Sequence, residues 1–282
     1  MQQDSWTTVI KPKNKLLAID FKEMWRYRDL FALFVRRDIT TLYKQTVLGP
    51  LWFIITPVLS VIVYVAVFGG IAGIPTDGVP APLFYLLGIA VWEYFSACLT
   101  ATSNSFVTNS DIFGKVYFPR MIMPLVSVTT NLVTFGVQML IFLAAFLYYH
   151  FTGTSFDLHW TLALFPLLVL MLALTSVGFG MIISSMTSKY RDLQLIFTYF
   201  IGIWKYLTPV IYPLSMVQNP KLHFFMSLNP VTPIMEAFKY SLLGVGDFSW
   251  GWLAYSFVFM AVLLSVGLVI FNRTQKSFMD TV

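Results

Sequence analysis

Charge is scarce in this chain. Asp, Glu, Lys and Arg together make up 11% of the 282 residues, against 57% hydrophobic. Soluble domains carry about 25% charged residues, so an ordinary solvated surface is excluded. Cysteine is nearly absent too. Cys98 stands alone, which excludes intrachain disulfides and thiolate metal clusters. His150, His159 and His223 lie far apart, none with a second ligand at helical spacing. They read as interfacial or loop residues, and no metal site is expected. The first 15 residues have no apolar core, so no cleaved signal peptide is expected. Catalytic signatures are missing as well. Gly114-Lys115 is followed by Val116 and lacks the preceding glycine of a phosphate-binding loop. No Gly-x-Ser-x-Gly elbow and no paired acidic metal motif occurs. If ATP powers this protein, another chain must bind it.

Long apolar runs are what the sequence has instead. A spanning helix needs about 20 apolar residues to cross about 30 Å of hydrocarbon. Six stretches qualify: Leu51 to Gly70, Leu83 to Val107, Met121 to Tyr149, Trp160 to Met186, Leu193 to Tyr212 and Leu253 to Phe271. Only helices and closed barrels satisfy the backbone in lipid, and the alternation of barrel strands is absent. The expected fold is therefore an all-α integral membrane protein with six transmembrane helices over residues 50–272. A tail of residues 1–49 precedes them and residues 273–282 follow. No fixed-period repeat or inverted duplication is visible, which argues against secondary transporters built on inverted repeats.

Lysine and arginine placement orients the spans. With six, both termini share a side. That side receives nine basic residues from Lys11 to Lys44, then Lys115, Arg120, Lys189, Arg191, Arg273 and Lys276. The other side has Lys221 and Lys239. Both termini are expected in the cytoplasm of a bacterial cell, with the chain multi-pass in the inner membrane. The net charge of +5 flanks membrane spans, so it marks orientation rather than nucleic-acid binding.

Two segments are expected not to span. Lys22 to Lys44 interleaves Trp25, Leu30, Phe31 and Phe34 with Arg28, Arg36, Arg37 and Asp38. That pattern fits an N-terminal amphipathic helix in the cytoplasmic interface, apolar face in lipid. Residues 213–250 contain two short apolar runs, Leu222–Leu228 and Ile234–Leu243, split by Asn229-Pro230 and Pro233. Neither is long enough to cross. They read as a re-entrant helical pair, with a pair of surface helices as the alternative.

Glu93 and Lys205 are the ionisable residues inside the spans. Such residues cost roughly 2.5–3.5 kcal/mol at mid-helix and are functional candidates. Their depths along the helices are similar, which predicts either a pair or one shared aqueous cavity. A packing ion pair is the alternative. Trp52, Tyr64, Trp92, Tyr94, Tyr199, Trp204 and Tyr206 fall at or within spans. Aromatic faces and their polar tips suit a carbohydrate conduit, although lipid-facing or packing roles serve any one of them. Asn131, Thr134 and Gln138 share one face of the third span, and Ser176, Gly180 and Ser184 share one face of the fourth. Polar residues on one face avoid lipid, so the first set faces other helices or a cavity; packing is the reading taken for both.

Three motifs carry a resemblance to a known family. The first runs from Tyr27-Arg28-Asp29-Leu30 through Arg36-Arg37-Asp38 and Tyr43-Lys44-Gln45 into Leu48-Gly49-Pro50-Leu51-Trp52 and Pro57. The second is Lys189-Tyr190-Arg191-Asp192-Leu193. The third is Leu228-Asn229-Pro230-Val231-Thr232-Pro233, followed by Glu236 and Ala237. In this order, over about residues 15 to 275, they resemble the permease subunit of ABC-2-type polysaccharide exporters of O-antigen, capsule or teichoic acid. The resemblance implies a homodimer with two cytoplasmic nucleotide-binding ATPase subunits. ATP and Mg would sit on those partners, with no cofactor on this chain. It implies ATPase-coupling loops with Lys115, Tyr117, Tyr190, Arg191 and Asp192. It implies a gate helix with Trp25, Arg28, Arg36, Arg37 and Asp38 for a lipid-linked glycan. It also implies an exit segment with Asn229, Pro230, Pro233 and Glu236. Trp52, Tyr64, Trp92, Glu93, Tyr94, Tyr199, Trp204, Lys205 and Tyr206 are the candidate translocation path. Two other readings stay open: an ABC-2 permease for a small molecule or drug, and an integral membrane transferase acting on a lipid-linked glycan. The transferase would need a convergent His/Asp or acidic pair at one membrane face, and none is evident.

Overall fold

The computed structural model describes residues 21–44, 48–113, 118–154, 159–190 and 192–278. Among them every regular element is helical. A short helix α1 (Phe21–Arg26) leads into α2 (Arg28–Tyr43). Then come α3 (Trp52–Tyr64), extended by a π-helical turn over Val65–Ile71, and α4 (Ala81–Ser103). Two single turns, α5 (Ser105–Thr108) and α6 (Ser110–Phe113), precede α7 (Ile122–Phe151) and α8 (Phe165–Thr187). The chain ends with α9 (Leu193–Leu207), α10 (Pro220–Leu228), α11 (Val231–Leu243) and α12 (Trp250–Phe278).

Five stretches are helical, long and apolar enough to cross a bilayer: Trp52–Ile71, Ala81–Ser103, Ile122–Phe151, Trp160–Thr187 and Trp250–Gln275. The fifth apolar run differs from its expected length. Its helix, α9, stops at Leu207 after 15 residues, where the run itself continues to Tyr212. Thr208 takes extended angles, φ −105° and ψ 140°, because the ring of the following Pro209 disfavours helical backbone before it. At 1.5 Å per residue α9 rises about 22 Å.

The long helices lie alternately up and down. One end of the bundle carries α2, Arg120 and Lys189; it is called the basic end here. The opposite end holds residues 72–80, 152–154, 159–164 and 208–249. Helix α4 is central. Its residues 83–92 are buried without interruption, and it touches α3, α7, α8, α9 and α11. Small residues permit the close crossings. A methyl at Gly180 would meet Thr102 of α4 at 2.5 Å, and one at Gly267 of α12 would meet the Gly178 carbonyl of α8 at 2.8 Å. Ser184 hydrogen-bonds Ser105 at 3.2 Å. The Ser176–Gly180–Ser184 face is therefore a packing face.

Helix α2 packs one side on the bundle, while Leu33 and the preceding Trp25 stay exposed. Phe34 is buried, with Leu30, Phe31 and Val35, against Phe118, Ile122, Met123 and Phe271.

Candidate functional site

A cleft of about 540 Å³ opens between α3, α4 and α7. Its walls are polar for a membrane-spanning bundle. Thr56 comes from α3; Glu93, Ser96 and Thr100 from α4; Asn131, Thr134 and Gln138 from α7. Tyr94 and Phe135 line it as well, with ring centroids 5.0 Å apart. Helical periodicity builds this surface. Glu93, Ser96 and Thr100 follow at three and four residues, as do Asn131, Thr134 and Gln138, so each set forms one stripe. Ala97 and Ala101 leave room between them. The Gln138 amide donates to Glu93 Oε2. The Asn131 amide donates to the Ser127 carbonyl, 2.8 Å. The α7 stripe, read from sequence as a packing face, is thus a cavity wall. Its signal was three polar side chains on one face of an uncharged helix.

Glu93 and Lys205 do not form an ion pair. Lys205 Nζ donates to the Tyr64 hydroxyl at 2.6 Å and sits 4.9 Å from that ring's centroid. Because α9 ends at Leu207, Lys205 lies in the last helical turn, where the dipole favours a cation. The sequence estimate had α9 running further, which misplaced Lys205 relative to the helix end. The other path candidates fall into two groups. Trp92 and Trp204 are buried and packed edge-to-face, with Phe95 and Phe179 against Trp204. Tyr199 and Tyr206 stand exposed on α9, and Trp52 is half-exposed on α3.

The segment between α9 and α12 is tied together by polar contacts, those of Lys239 buried. Asn219 caps α10, accepting from the Lys221 N–H at 3.0 Å, with Pro220 at the first helical position. Asn229 makes the α10–α11 turn: its Oδ1 accepts from the Val231 N–H, and its amide donates to Thr208 Oγ1 at 2.8 Å. Pro230 closes the turn, and Pro233 sits buried in the first turn of α11. Asn229 and Pro230 share an apolar cavity of about 460 Å³ with Leu99, Phe179, Met186 and Trp204. The tip of this pair therefore reaches well down the bundle. Lys239, counted from sequence among the basic residues of the outer side, is buried. Its Nζ is 3.0 Å from Glu236 Oε1 and donates to the Pro209 carbonyl at 2.6 Å. It also lies 4.5 Å from the Phe84 ring centroid. Glu236 Oε2 accepts from the Asp247 N–H at 2.8 Å, and Asp247 pairs with His223 at 2.8 Å. Gly246 takes φ +116°, and a Cβ there would strike Glu236 Oε2 at 2.9 Å, so this corner requires glycine.

At the basic end, Arg120 is a residue that motif reading passed over. It is buried, donates to the Gln275 carbonyl at 3.2 Å, and lies over the rings of Phe106 and Phe113 at 5.9 and 5.1 Å. Burial lowers its pKa from the ordinary value, yet a guanidinium remains charged. Phe113 touches Phe118, which touches Phe34 of α2. Arg37 lies 4.9 Å over Phe34 and pairs with Asp38 at 2.8 Å. Trp25 and Arg36 are exposed, and Arg28 lies 5.8 Å over the Trp25 ring. Tyr190 and Asp192 are exposed beside α9. Lys115, Tyr117 and Arg191 lie outside the described residues. Among the described residues no group of three His, Cys, Asp or Glu side chains could hold a metal ion.

Comparison with known proteins agrees with this architecture. The profile of the family described as "ABC-2 type transporter" matches residues 29–243. The chain is 29% identical over 220 residues to the O-antigen export system permease protein RfbA of Myxococcus xanthus, covering 77% of this chain and 82% of that protein. A Klebsiella pneumoniae protein of the same name is 25% identical over 253 residues, 89% of this chain and 94% of its own length. The polysialic acid transport protein KpsM of Escherichia coli is 22% identical over 255 residues, 89% of this chain and 95% of its own length.

Proposed function

Since the chain belongs to the ABC-2 type transporter family, we propose that it is the membrane-spanning permease of an exporter that moves lipid-linked polysaccharide across the bacterial inner membrane. The observation that carries the cargo is the near full-length match to relatives named for O-antigen export. Two copies would enclose the path, and two nucleotide-binding subunits carrying ATP and Mg would drive it. The basic end would face the cytoplasm. Residues 109–120 and 188–192 would touch the ATPases, and α2 would gate entry of the lipid-linked glycan.

Helix α9 would be the fifth of six spans, completed by Thr208–Tyr212. Helices α10 and α11 would form a re-entrant pair at the exit. Two features of the fold support that. The roughly 22 Å rise of α9 falls short of about 30 Å of hydrocarbon. The Asn229 turn is hydrogen-bonded to Thr208 at the end of α9, so with α9 spanning from the basic end the turn would lie within that thickness.

Affinity purification in mild detergent tests the reading. The tagged chain should bring down a nucleotide-binding subunit, and the complex in proteoliposomes should move lipid-linked glycan only with ATP. Absence of an ATPase partner would sink it.

A further inference from the structure

We infer that the cleft between α3, α4 and α7 is a binding site for a hydroxyl-rich sugar group, the sugars nearest the lipid of the transported chain. The inference rests on the export reading above. Its evidence is the hydrogen-bonding inventory of the walls. The amides of Gln138 and Asn131 are spent on Glu93 and on the Ser127 carbonyl. Glu93 Oε1, Gln138 Oε1 and Asn131 Oδ1 receive no donor from the described residues, and the hydroxyls of Thr56, Thr100 and Thr134 have no partner there either.

Polar groups in a membrane interior are costly without partners. A ring bearing several hydroxyls both donates and accepts, so it answers three free acceptors and three hydroxyls together. A cation would meet a single carboxylate, already half engaged by Gln138. The Tyr94–Phe135 pair adds the aromatic wall against which sugar C–H faces pack. The volume of about 540 Å³ falls within the range of roughly 300–1,000 Å³ for small-molecule sites.

Position agrees with chemistry. Thr56 is four residues from the start of α3, about 6 Å along it. Thr100 is three residues from the end of α4. Asn131 is nine residues into α7, about 14 Å. The cleft thus runs from the basic end toward mid-bundle. A glycan assembled on a lipid carrier in the cytoplasmic leaflet would present its first sugars there.

Photolabelling of the full-length chain in nanodiscs tests the site. The probes are a dodecyl glucoside with a diazirine beside the sugar, and a matched alkyl diazirine with no sugar. The glycoside should label α3, α4 and α7 peptides around the cleft, and the sugar-free probe should not. Thr134→Val and Thr100→Val remove one hydroxyl each without changing shape. Each should cut cleft labelling about fivefold, the equivalent of one neutral hydrogen bond. Equal cleft labelling by both probes would overturn the inference, as would labelling unaffected by either valine. A dodecylammonium diazirine that outcompetes the glycoside at the cleft would do the same. Unlabelled cleft in a preparation that still exports defeats the site and spares the export reading. Absence of an ATPase partner defeats the export reading whatever the cleft binds.

Discussion

Glu236 and Lys239 are both about 1% exposed and 3.0 Å apart, so each is the other's main compensation for burial. Removing one partner of such a pair strands a charge and costs about 3–5 kcal/mol, whereas replacing both with apolar side chains can be neutral. Lys239→Met should therefore lower the unfolding free energy by about that amount, and Glu236→Leu/Lys239→Met should recover most of it. Tryptophan-fluorescence melting in nanodiscs measures both. A single mutant as stable as the wild type would show the pair to be energetically idle. The sequence showed a clue here: opposite charges three residues apart inside an otherwise apolar run, Ile234–Leu243. It could not show that the Pro209 carbonyl and the Asp247 N–H would complete the shell, because those partners come from distant turns. Glu93 gives the same lesson. Its isolation in a span was legible, but its partner Gln138 lies 45 residues away.

Among the elements, helix crossings turn on single atoms. A methyl at Gly88 of α4 would sit 2.5 Å from the Val210 carbonyl, and that backbone has no rotamer to yield. Gly88→Ala should cost about 1–3 kcal/mol by overpacking, read as a lower melting temperature. The open Gly136, with nothing within 4 Å, serves as control: Gly136→Ala should leave the melt unchanged or raise it slightly, since alanine favours helix by about 1 kcal/mol. Arg120 joins Phe106 and Phe113 to the end of α12. Arg120→Ala should remove the donor to the Gln275 carbonyl and the cation over both rings, and open α5 and α6 to limited proteolysis. Protection equal to wild type would show that the cluster holds without it. The run of span residues was readable for α3, α4, α7, α8 and α12 from hydropathy alone. The early end of α9 was readable too, in Thr208-Pro209, but the apolar run to Tyr212 masked it.

On the scale of the whole molecule, orientation is the property most open to a direct check. Cys98 is fully buried, so the native thiol should stay silent to a membrane-impermeant maleimide. With Asp77→Cys or Asn219→Cys, intact cells should label from outside; Lys189→Cys should label only after the inner membrane is opened. The reverse pattern would invert the proposed topology. Some of this architecture follows from sequence alone, because hydropathy and basic-residue placement are local sums over one segment. They determined an all-helical membrane chain, its long apolar helices, the two short helices around Asn229-Pro230 and the basic end. Tertiary structure alone decided which polar residues meet. The α7 stripe and Glu93 form one cleft, Lys205 turns to Tyr64, and Lys239 is drawn inside. Those outcomes depend on how helices rotate and cross, a geometry set by small residues touching backbone across the bundle.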